Sequence, residues 1–162
     1  MLRDKIKILP DLVRIRHQLK TEGQRVVFTN GVFDILHRGH VEYLEKARSL
    51  GDVLMVGLNS DESVKKIKGE DRPIMLQENR AMVLAGLSSV DFICLFEEET
   101  PANLIRQLIP DILVKGSDYK IDDIVGREIV EANGGKVVTI DLVPGQSTTS
   151  IIEKLMKLAK KG

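Results

Sequence analysis

Five short segments of apolar and β-branched residues recur along the chain. They lack the polar–apolar alternation that marks a half-exposed strand. They span residues 25–29, 53–57, 92–96, 112–114 and 136–140. Near-continuous apolar runs of this length are typical of strands buried on both faces, as in a parallel sheet. Parallel neighbours cannot be joined by tight hairpins, so the pattern also predicts a crossover helix between successive strands.

Amphipathic helical patterns do fall between these segments. Apolar side chains at positions 41, 44, 47 and 50 form one stripe, followed by Gly51, a residue that often ends helices. Alternating strands and helices from residue 25 onward predict right-handed βαβ units. We therefore expect an α/β protein with a Rossmann-like, doubly wound sheet of about five parallel strands. Residues 1–24 are predicted to form a helical extension and residues 25–162 a single domain.

Composition excludes several classes of partner. The 162 residues include 24 Lys and Arg against 24 Asp and Glu, so the formal net charge is zero, and aromatic residues make up 4%. A nucleic-acid surface normally needs a basic excess or an aromatic platform, so we expect no nucleic-acid partner. Charges throughout the first ten residues and short apolar runs predict no signal peptide, no membrane partner and a cytoplasmic location. The single Cys94 excludes an internal disulfide.

Glycines, small hydroxyls and basic side chains follow directly after the predicted strands. These segments are residues 30–40, 58–61, 115–119 and 144–149. Open α/β sheets bind ligands beyond the carboxyl ends of their strands. Helix N-termini and exposed backbone amides attract phosphate. The sequence therefore predicts a polyanion site at one edge of the sheet.

Two histidines stand out in the first of these segments. His37 and His40 flank Gly39, and a helix beginning there would place both imidazoles on one face at its positive end. A phosphate at this turn would receive two imidazole donors as well as backbone N–H groups. The alternative interpretation is a pair of capping or surface histidines. Zinc is disfavoured because two histidines without a nearby cysteine do not complete a tetrahedral site, so we predict no protein metal site.

Common nucleotide and hydrolase motifs are absent from the sequence. There is no G-x-x-x-x-G-K-[ST] segment, no G-x-G-x-x-G after the first strand and no G-x-S-x-G elbow. A P-loop kinase or ATPase, a dinucleotide dehydrogenase and an α/β-hydrolase are therefore all disfavoured.

Two segments carry a family resemblance. Residues 29–40 read TNGVFDILHRGH, which resembles the (T/N)-G-x-F-D-x-x-H-x-G-H signature of the cytidylyltransferase-like nucleotidyltransferases. Residues 146–151 read QSTTSI, which resembles their second signature. Residues 57–64, 68–73 and 110–119 are further similar to the adenylyltransferase part of bifunctional heptose-phosphate kinase/adenylyltransferases. One departure is Ile152, where relatives with an I-S-S-T-x-I-R segment place an arginine.

This resemblance implies a reaction and its partners. AMP would pass from ATP to a heptose 1-phosphate, giving ADP-heptose and pyrophosphate for lipopolysaccharide core synthesis. ATP, a sugar 1-phosphate and Mg²⁺ would be bound, and the chain would form a homodimer. The attacking phosphate is largely ionised near neutral pH because its second pKa is about 6, so no general base is required. The protein must position two anions and neutralise the charge that moves onto pyrophosphate.

The resemblance and the chemistry of the side chains also imply roles for individual residues. The expected catalytic residues are His37, His40, Lys68 and Arg72, with His40 stabilising the transition state. The expected nucleotide-binding residues are Asn30, Gly31, Phe33, Lys115, Gly116, Asp118, Ser147, Thr148 and Thr149. The expected acceptor-binding residues are Asn59, Asp61 and Arg80. Lys68, Arg72 and Arg80 could form a mobile lid, and Asp34 is expected to orient its turn rather than bind metal.

Three alternatives remain open at this point. A cytidylyltransferase acting on glycerol 3-phosphate or another small phospho-alcohol keeps the fold and changes both substrates. A nucleotide sensor would bind without turnover. A fragment of a class I aminoacyl-tRNA synthetase would explain the H-R-G-H segment, but the neutral charge and the absence of a K-M-S-K-S segment disfavour it.

Overall fold

Five parallel strands form one sheet in the computed structural model, which describes residues 1–161. The strands are β1 (Val26–Gly31), β2 (Val53–Asn59), β3 (Phe92–Phe96), β4 (Ile112–Gly116) and β5 (Lys136–Ile140). Their order is β3-β2-β1-β4-β5. The chain therefore winds outward in both directions from β1, and the order reverses between β1 and β4. This confirms the predicted doubly wound α/β fold. Open sheets of this kind bind ligands where the strand order reverses, which here is at the carboxyl ends of β1 and β4.

Seven α-helices connect and flank these strands within residues 1–161. They are α1 (Leu9–Thr21), α2 (Arg38–Arg48), α3 (Asp61–Lys68), α4 (Gln77–Ala85), α5 (Ala102–Leu108), α6 (Arg127–Ala132) and α7 (Thr148–Ala159). Short 3-10 helices span Leu2–Lys5 and Ile121–Asp123. In this described part of the chain, no helix combines the length and the apolar character needed to cross a membrane.

Helices cover both faces of the sheet. Leu44 of α2 and Leu84 of α4 are fully buried against one face, and Leu12 of α1 and Ile105 of α5 against the other. Adjacent strand residues enter opposite layers, so the central strands are apolar on both sides. This burial on both faces explains why the strand segments are continuously apolar in the sequence.

The first 21 residues pack directly onto the sheet layers. Ile6 forms a parallel bridge to Ile93 of β3, and Leu12 of α1 is fully buried. The buried guanidinium of Arg16 donates to the carbonyl oxygens of Leu108 and Ile109 at 3.1 and 2.9 Å. Arg16 therefore satisfies carbonyls that the end of α5 leaves without helical partners.

Candidate active site

The turn after β1 has an unusual backbone. Phe33 and Ile35 adopt left-handed conformations with φ of 49° and 50°. This region costs a non-glycine residue about 1–2 kcal/mol, more for a β-branched side chain, so surrounding contacts must hold it in place. Asp34 lies between them and is buried. Strain of this kind collects at functional sites because the turn must present particular atoms to a ligand.

Immediately after this turn, the two histidines stack on each other. His37 is the N-cap of α2, and its Nδ1 accepts a hydrogen bond from the backbone N–H of Gly39 at 3.1 Å. The Nδ1 of His40 accepts from the backbone N–H of His37 at 3.4 Å. The ring centroids are 3.8 Å apart, and the edge of Phe33 lies against His40. Both imidazoles thus lie together at the N-terminus of α2.

These contacts fix which ring nitrogen carries the proton. Because both Nδ1 atoms accept hydrogen bonds, a neutral imidazole in either position must carry its proton on Nε2. Burial lowers the pKa of His37, and burial together with the neighbouring His37 lowers the pKa of His40 to about 4. Both rings are therefore neutral at pH 7. Each retains an Nε2–H that can donate to a phosphate oxygen.

Neutral His40 makes stability depend on pH. Its pKa is about 4 in the folded chain against a reference of 6.5, so the unfolded chain binds more protons between these values. The stabilisation is present above pH 6.5 and is lost as the pH falls toward 4. We expect the free energy of unfolding, measured with urea, to fall from pH 7.5 to 5, and to fall less in His40→Gln. Equal falls in both proteins would contradict this origin.

The second signature segment contacts the histidine turn. Thr148 Oγ1 donates to the carbonyl oxygen of Asp34 at 2.7 Å. A Cβ on Gly39 would lie 3.0 Å from the His37 ring and 3.1 Å from the Cβ of Gln146, so the two segments approach each other closely here and a side chain would displace one of them. The α2 and α7 N-termini therefore meet at one place, where their free backbone N–H groups favour an anion.

The remaining hydroxyls of this segment lie at the start of α7. Ser147 is the N-cap, and its Oγ accepts from the backbone N–H of Ser150 at 3.0 Å. Thr149 is exposed in the first turn of the helix. Ser147 therefore fixes the helix end, which leaves the first backbone amides of α7 and the Thr149 hydroxyl as groups that a ligand can reach.

Asp34 joins the signature turn to the loop before α4. Its carboxylate accepts from the backbone N–H of Ile74 at 2.8 Å and of Met75 at 2.9 Å. The guanidinium of Arg72 forms an ion pair with the same carboxylate at 3.1 Å. These contacts fit a structural role for Asp34, although the amides belong to a segment about 40 residues later rather than to its own turn.

The three residues predicted to bind the acceptor form one largely buried network. The Arg80 side chain is almost fully buried, and its guanidinium donates to the carbonyl oxygens of Val32, Asn59 and Met75, each at 2.8 Å. It also pairs with the Asp61 carboxylate at 2.8 Å. Arg80 thus ties the ends of β1 and β2 to the loop before α4, with its charge directed inward.

Several residues predicted to bind the nucleotide gather at the end of β4. Lys115 Nζ lies 3.3 Å from Asn30 Oδ1 and 4.5 Å from the centre of the Tyr119 ring. Burial lowers the pKa of Lys115, while the nearby carboxylate of Asp118 raises it. A Cβ on Gly116 would lie 2.5 Å from Asp118 Oδ1, so that carboxylate folds back over the end of the strand. These residues line the crevice between β1 and β4.

Lys68 stands apart from the other predicted residues. It ends α3 with an exposed side chain, and within residues 1–161 it forms no hydrogen bond or ion pair. The structure brings Arg72 to the histidine turn through Asp34 but does not bring Lys68 there.

Sequence reasoning missed two supporting residues. Tyr43 of α2 is hydrogen-bonded to Thr29 Oγ1 at 2.8 Å, and Thr29 donates to the carbonyl oxygen of Val114 on β4. Burial raises the pKa of the Tyr43 phenol. The pair fixes α2 to β1 and β4 beneath the histidines. One signal was available, since Thr29 is a hydroxyl at the end of an apolar strand.

The sequence of this chain is similar to those of known proteins. A family model described as cytidylyltransferase-like matches residues 28–154. A protein named bifunctional protein HldE from Geobacter sulfurreducens is 55% identical over 153 residues, and one of that name from Haemophilus influenzae is 55% identical over 141 residues. The matched segments cover 94% and 87% of this chain. The chain spans 31% and 30% of the length of those two proteins.

Solved structures agree with the sequence comparison. The lipopolysaccharide core biosynthesis protein from Thermoplasma volcanium is 32% identical with a TM-score of 0.64, over 75% of this chain and 99% of that one. A pantoate-beta-alanine ligase from Francisella tularensis, complexed with beta-gamma ATP and beta-alanine, has a TM-score of 0.61 at 18% identity. It covers 96% of this chain and 77% of the ligase. At that identity, the second likeness shows the shared fold alone.

Proposed function

The chain belongs to the cytidylyltransferase-like family, and from this premise we propose that it transfers AMP from ATP to a heptose 1-phosphate. The products would be ADP-heptose and pyrophosphate. The observation that carries the proposal is the contact between the two signature segments, where Thr148 bonds to Asp34 and Gln146 packs on Gly39. That contact brings two imidazoles and two helix N-termini together, and this grouping supports the binding of one polyanion there.

The proposed mechanism is an in-line displacement. A phosphate oxygen of the acceptor attacks the α-phosphorus of ATP, the bond from that phosphorus to the bridging oxygen breaks, and pyrophosphate leaves. Nε2–H groups of His37 and His40 would donate to the triphosphate while Thr149 and the amides of α7 hold the leaving phosphates. These donors are already in place before the reaction. Their hydrogen bonds therefore become more stabilising as negative charge moves onto pyrophosphate in the transition state.

Other predicted residues would position the substrates. Asn30, Gly31, Phe33, Lys115, Gly116 and Asp118 would line the nucleoside side, and Ser147 and Thr148 would fix the start of α7. Asn59, Asp61 and Arg80 would shape the acceptor side through their shared network. Arg72 is anchored near the histidine turn by Asp34, and Lys68, exposed at the end of α3, would extend its side chain to a bound phosphate.

Mg²⁺ would accompany the triphosphate. Within residues 1–161, no group of three or more His, Cys, Asp or Glu side chains could form a metal cage. This donor set fits an ion held mainly by phosphate oxygens and water, with the exposed Asp118 carboxylate available beside the nucleotide. The ion would neutralise phosphate charge. We expect excess EDTA to abolish pyrophosphate release, and added Mg²⁺ to restore it. Undiminished turnover in EDTA would contradict a divalent-ion requirement.

The relatives favour a sugar phosphate as acceptor. Proteins named bifunctional protein HldE match most of this chain, and the Thermoplasma protein is named for lipopolysaccharide core biosynthesis. We expect pyrophosphate release with ATP and heptose 1-phosphate to exceed that with CTP and glycerol 3-phosphate at least tenfold in kcat/KM. A coupled pyrophosphate assay over all four pairings measures this. Preference for CTP with glycerol 3-phosphate would support the alternative cytidylyltransferase, and ATP binding without any turnover would support a sensor.

Two further properties complete the proposal. A reaction that consumes ATP favours a cytoplasmic location. A homodimer is the expected assembly, and α7 offers an exposed apolar stripe in Leu155, Met156 and Leu158, each 57% exposed. Light scattering after size-exclusion chromatography measures the mass of the assembly.

A further inference from the structure

Three buried or half-buried basic side chains lie at the carboxyl edge of the sheet, and one of them lacks a carboxylate partner. Arg72 pairs with the Asp34 carboxylate at 3.1 Å. Arg80 pairs with the Asp61 carboxylate at 2.8 Å. Within residues 1–161, the half-buried ammonium of Lys115 forms no ion pair. A charge withdrawn from water is costly unless a partner compensates it, so the Lys115 position is suited to a bound anion.

The contacts of Lys115 leave donors available. Its Nζ lies 3.3 Å from Asn30 Oδ1 and 3.5 Å from the Asn30 carbonyl oxygen, and both distances exceed the roughly 2.7–3.2 Å of a well-formed hydrogen bond. An ammonium carries three N–H donors, so at least one of them can reach a ligand. Because Asn30 Oδ1 faces the ammonium, Nδ2 of the same amide faces away from it. In the described part of the chain this Nδ2 has no hydrogen-bond partner, so it is a second available donor.

Both side chains leave the sheet on the face opposite α2 and its histidines. Val114 packs in the layer that α2 covers. Successive side chains of a strand point to opposite faces, so Lys115 leaves β4 on the α5 side. A Cβ on Gly57 would lie 3.3 Å from the Asn30 Cβ and 3.0 Å from Leu104 of α5, so Asn30 points to the same side. Asn30 is also the last residue but one of β1, so the pair lies at the edge where the histidine turn begins.

The proposed reaction needs two anions on opposite sides of the α-phosphorus. The attacking oxygen forms its bond to phosphorus as the bond to the bridging oxygen breaks, and these two oxygens are roughly in line. The histidines and the N-terminus of α7 would hold the departing pyrophosphate on the α2 side of the edge. The attacking phosphate would therefore approach from the α5 side, where the Lys115 ammonium and the Asn30 amide lie.

We infer that Lys115 and Asn30 bind the phosphate of the acceptor, an assignment that rests on the proposed function. The ammonium would offset the repulsion between this phosphate and the triphosphate, and the Asn30 Nδ2–H would orient it for attack. The backbone of Lys115 remains beside the nucleoside together with Gly116 and Asp118. The Asp118 carboxylate folds back over Gly116 and forms no ion pair with the ammonium, so the cation stays available to the acceptor.

Two substitutions at this pair test the assignment. Lys115→Met removes the charge and keeps most of the length, and Asn30→Asp places a carboxylate where the phosphate would bind. Each is expected to weaken the binding of heptose 1-phosphate at least about tenfold, the usual effect of losing a hydrogen bond to a charged group. Lys115→Arg keeps the charge and should recover part of the affinity. Lys120→Met changes an exposed lysine in the loop after β4 and should stay within twofold of wild type.

Asn30→Asp separates a ligand contact from a structural role. This variant gives Lys115 a carboxylate partner, so its melting temperature should equal or exceed that of wild type while acceptor binding falls. If Lys115→Met does not fold, Asn30→Asp decides the question. Calorimetry on each protein, saturated with a non-hydrolysable ATP analogue, measures the affinity for heptose 1-phosphate and for glycerol 3-phosphate. The affinity for the ATP analogue should stay within twofold of wild type.

Using two phosphate esters keeps this inference separate from the proposed reaction. Turnover only with CTP and glycerol 3-phosphate, with binding of that ester weakened in both variants, would overturn transfer to heptose and support the phosphate site. Turnover of heptose 1-phosphate with unchanged acceptor affinity in both variants would overturn the site and leave the reaction standing. Weaker binding of the ATP analogue with unchanged acceptor binding would assign Lys115 to the nucleotide and overturn the site. Failure of the wild-type chain to bind either ester would also overturn it.

Discussion

Replacing His40 with alanine is expected to lower the kcat for pyrophosphate release at least about 100-fold, the effect of losing one preorganised transition-state donor. His40 is held by the backbone N–H of His37, the stacked His37 ring and the contact with the Phe33 ring. Its pKa of about 4 makes it neutral at pH 7 before substrate binds, so it offers an Nε2–H donor to the incoming triphosphate. The KM for ATP should change much less than kcat, because the donor gains most as charge develops on pyrophosphate.

His40→Gln and a distant histidine provide the comparison. A glutamine side-chain amide can place an N–H near the former Nε2 position, so His40→Gln should recover part of the lost rate. His17 is exposed on α1, away from the sheet edge, and His17→Ala should stay within twofold of wild type. Near-normal turnover in His40→Ala would refute the role proposed for this imidazole. Equal losses in the His17 variant would point to a general effect on folding.

The fold was predictable because its main determinant is local in sequence. Strands such as β1 and β2 carry apolar residues on both faces, and that property alone distinguishes a covered parallel sheet from an antiparallel one. The meeting of the two signature segments also followed from the fold, since parallel strands end at the same edge. The order of the strands then places residues 30–40 and 144–149 beside the crevice.

The contacts of individual charged residues were not predictable in the same way. Arg80 was expected to contact substrate, yet its guanidinium is directed to Val32, Asn59 and Asp61. These partners lie 19 to 48 residues away, and nothing in the local pattern identifies them. A buried cation needs an opposite charge and several acceptors, so the fold supplies them from distant segments. The sequence indicates that a cation lies near the site but not which way it points.

The left-handed backbone conformation at Phe33 and Ile35 could not be predicted from the sequence either. Neither residue type favours that conformation, so sequence statistics argue against it. The contacts around Asp34, which lies between them, hold the turn in this shape. Local preference is overruled where several long-range hydrogen bonds converge on one residue. The Asp34 hydrogen bonds therefore hold the strained backbone of this turn in place, and the turn in turn positions the histidines.

Because the Asp34 contacts hold this turn, the second large effect is expected for Asp34→Asn. The substitution keeps the shape but removes the charge that Arg72 pairs with, and it turns one acceptor into a donor facing a backbone N–H. We expect the free energy of unfolding to fall by about 2–3 kcal/mol, the cost of leaving buried partners unsatisfied. We also expect kcat/KM to fall about 100-fold, because a displacement of roughly 1 Å in the turn is enough for such a loss.

Two measurements on the same preparations separate the effects of this substitution on stability and on activity. One is unfolding in urea, and the other is the rate of pyrophosphate release. Asp71→Asn is the matched control, since its exposed carboxylate lies in the same loop and makes no hydrogen bond within residues 1–161. Adding Arg72→Gln to Asp34→Asn removes the unpaired charge, so it should restore part of the stability. Because Arg72 is itself an expected catalytic residue, the rate of the double variant is compared with that of Arg72→Gln alone. Loss of stability with normal activity in the folded fraction would show that Asp34 only supports the fold. A role of Asp34 in positioning the histidine turn predicts that the double variant stays slower than Arg72→Gln alone, even though part of its stability has recovered.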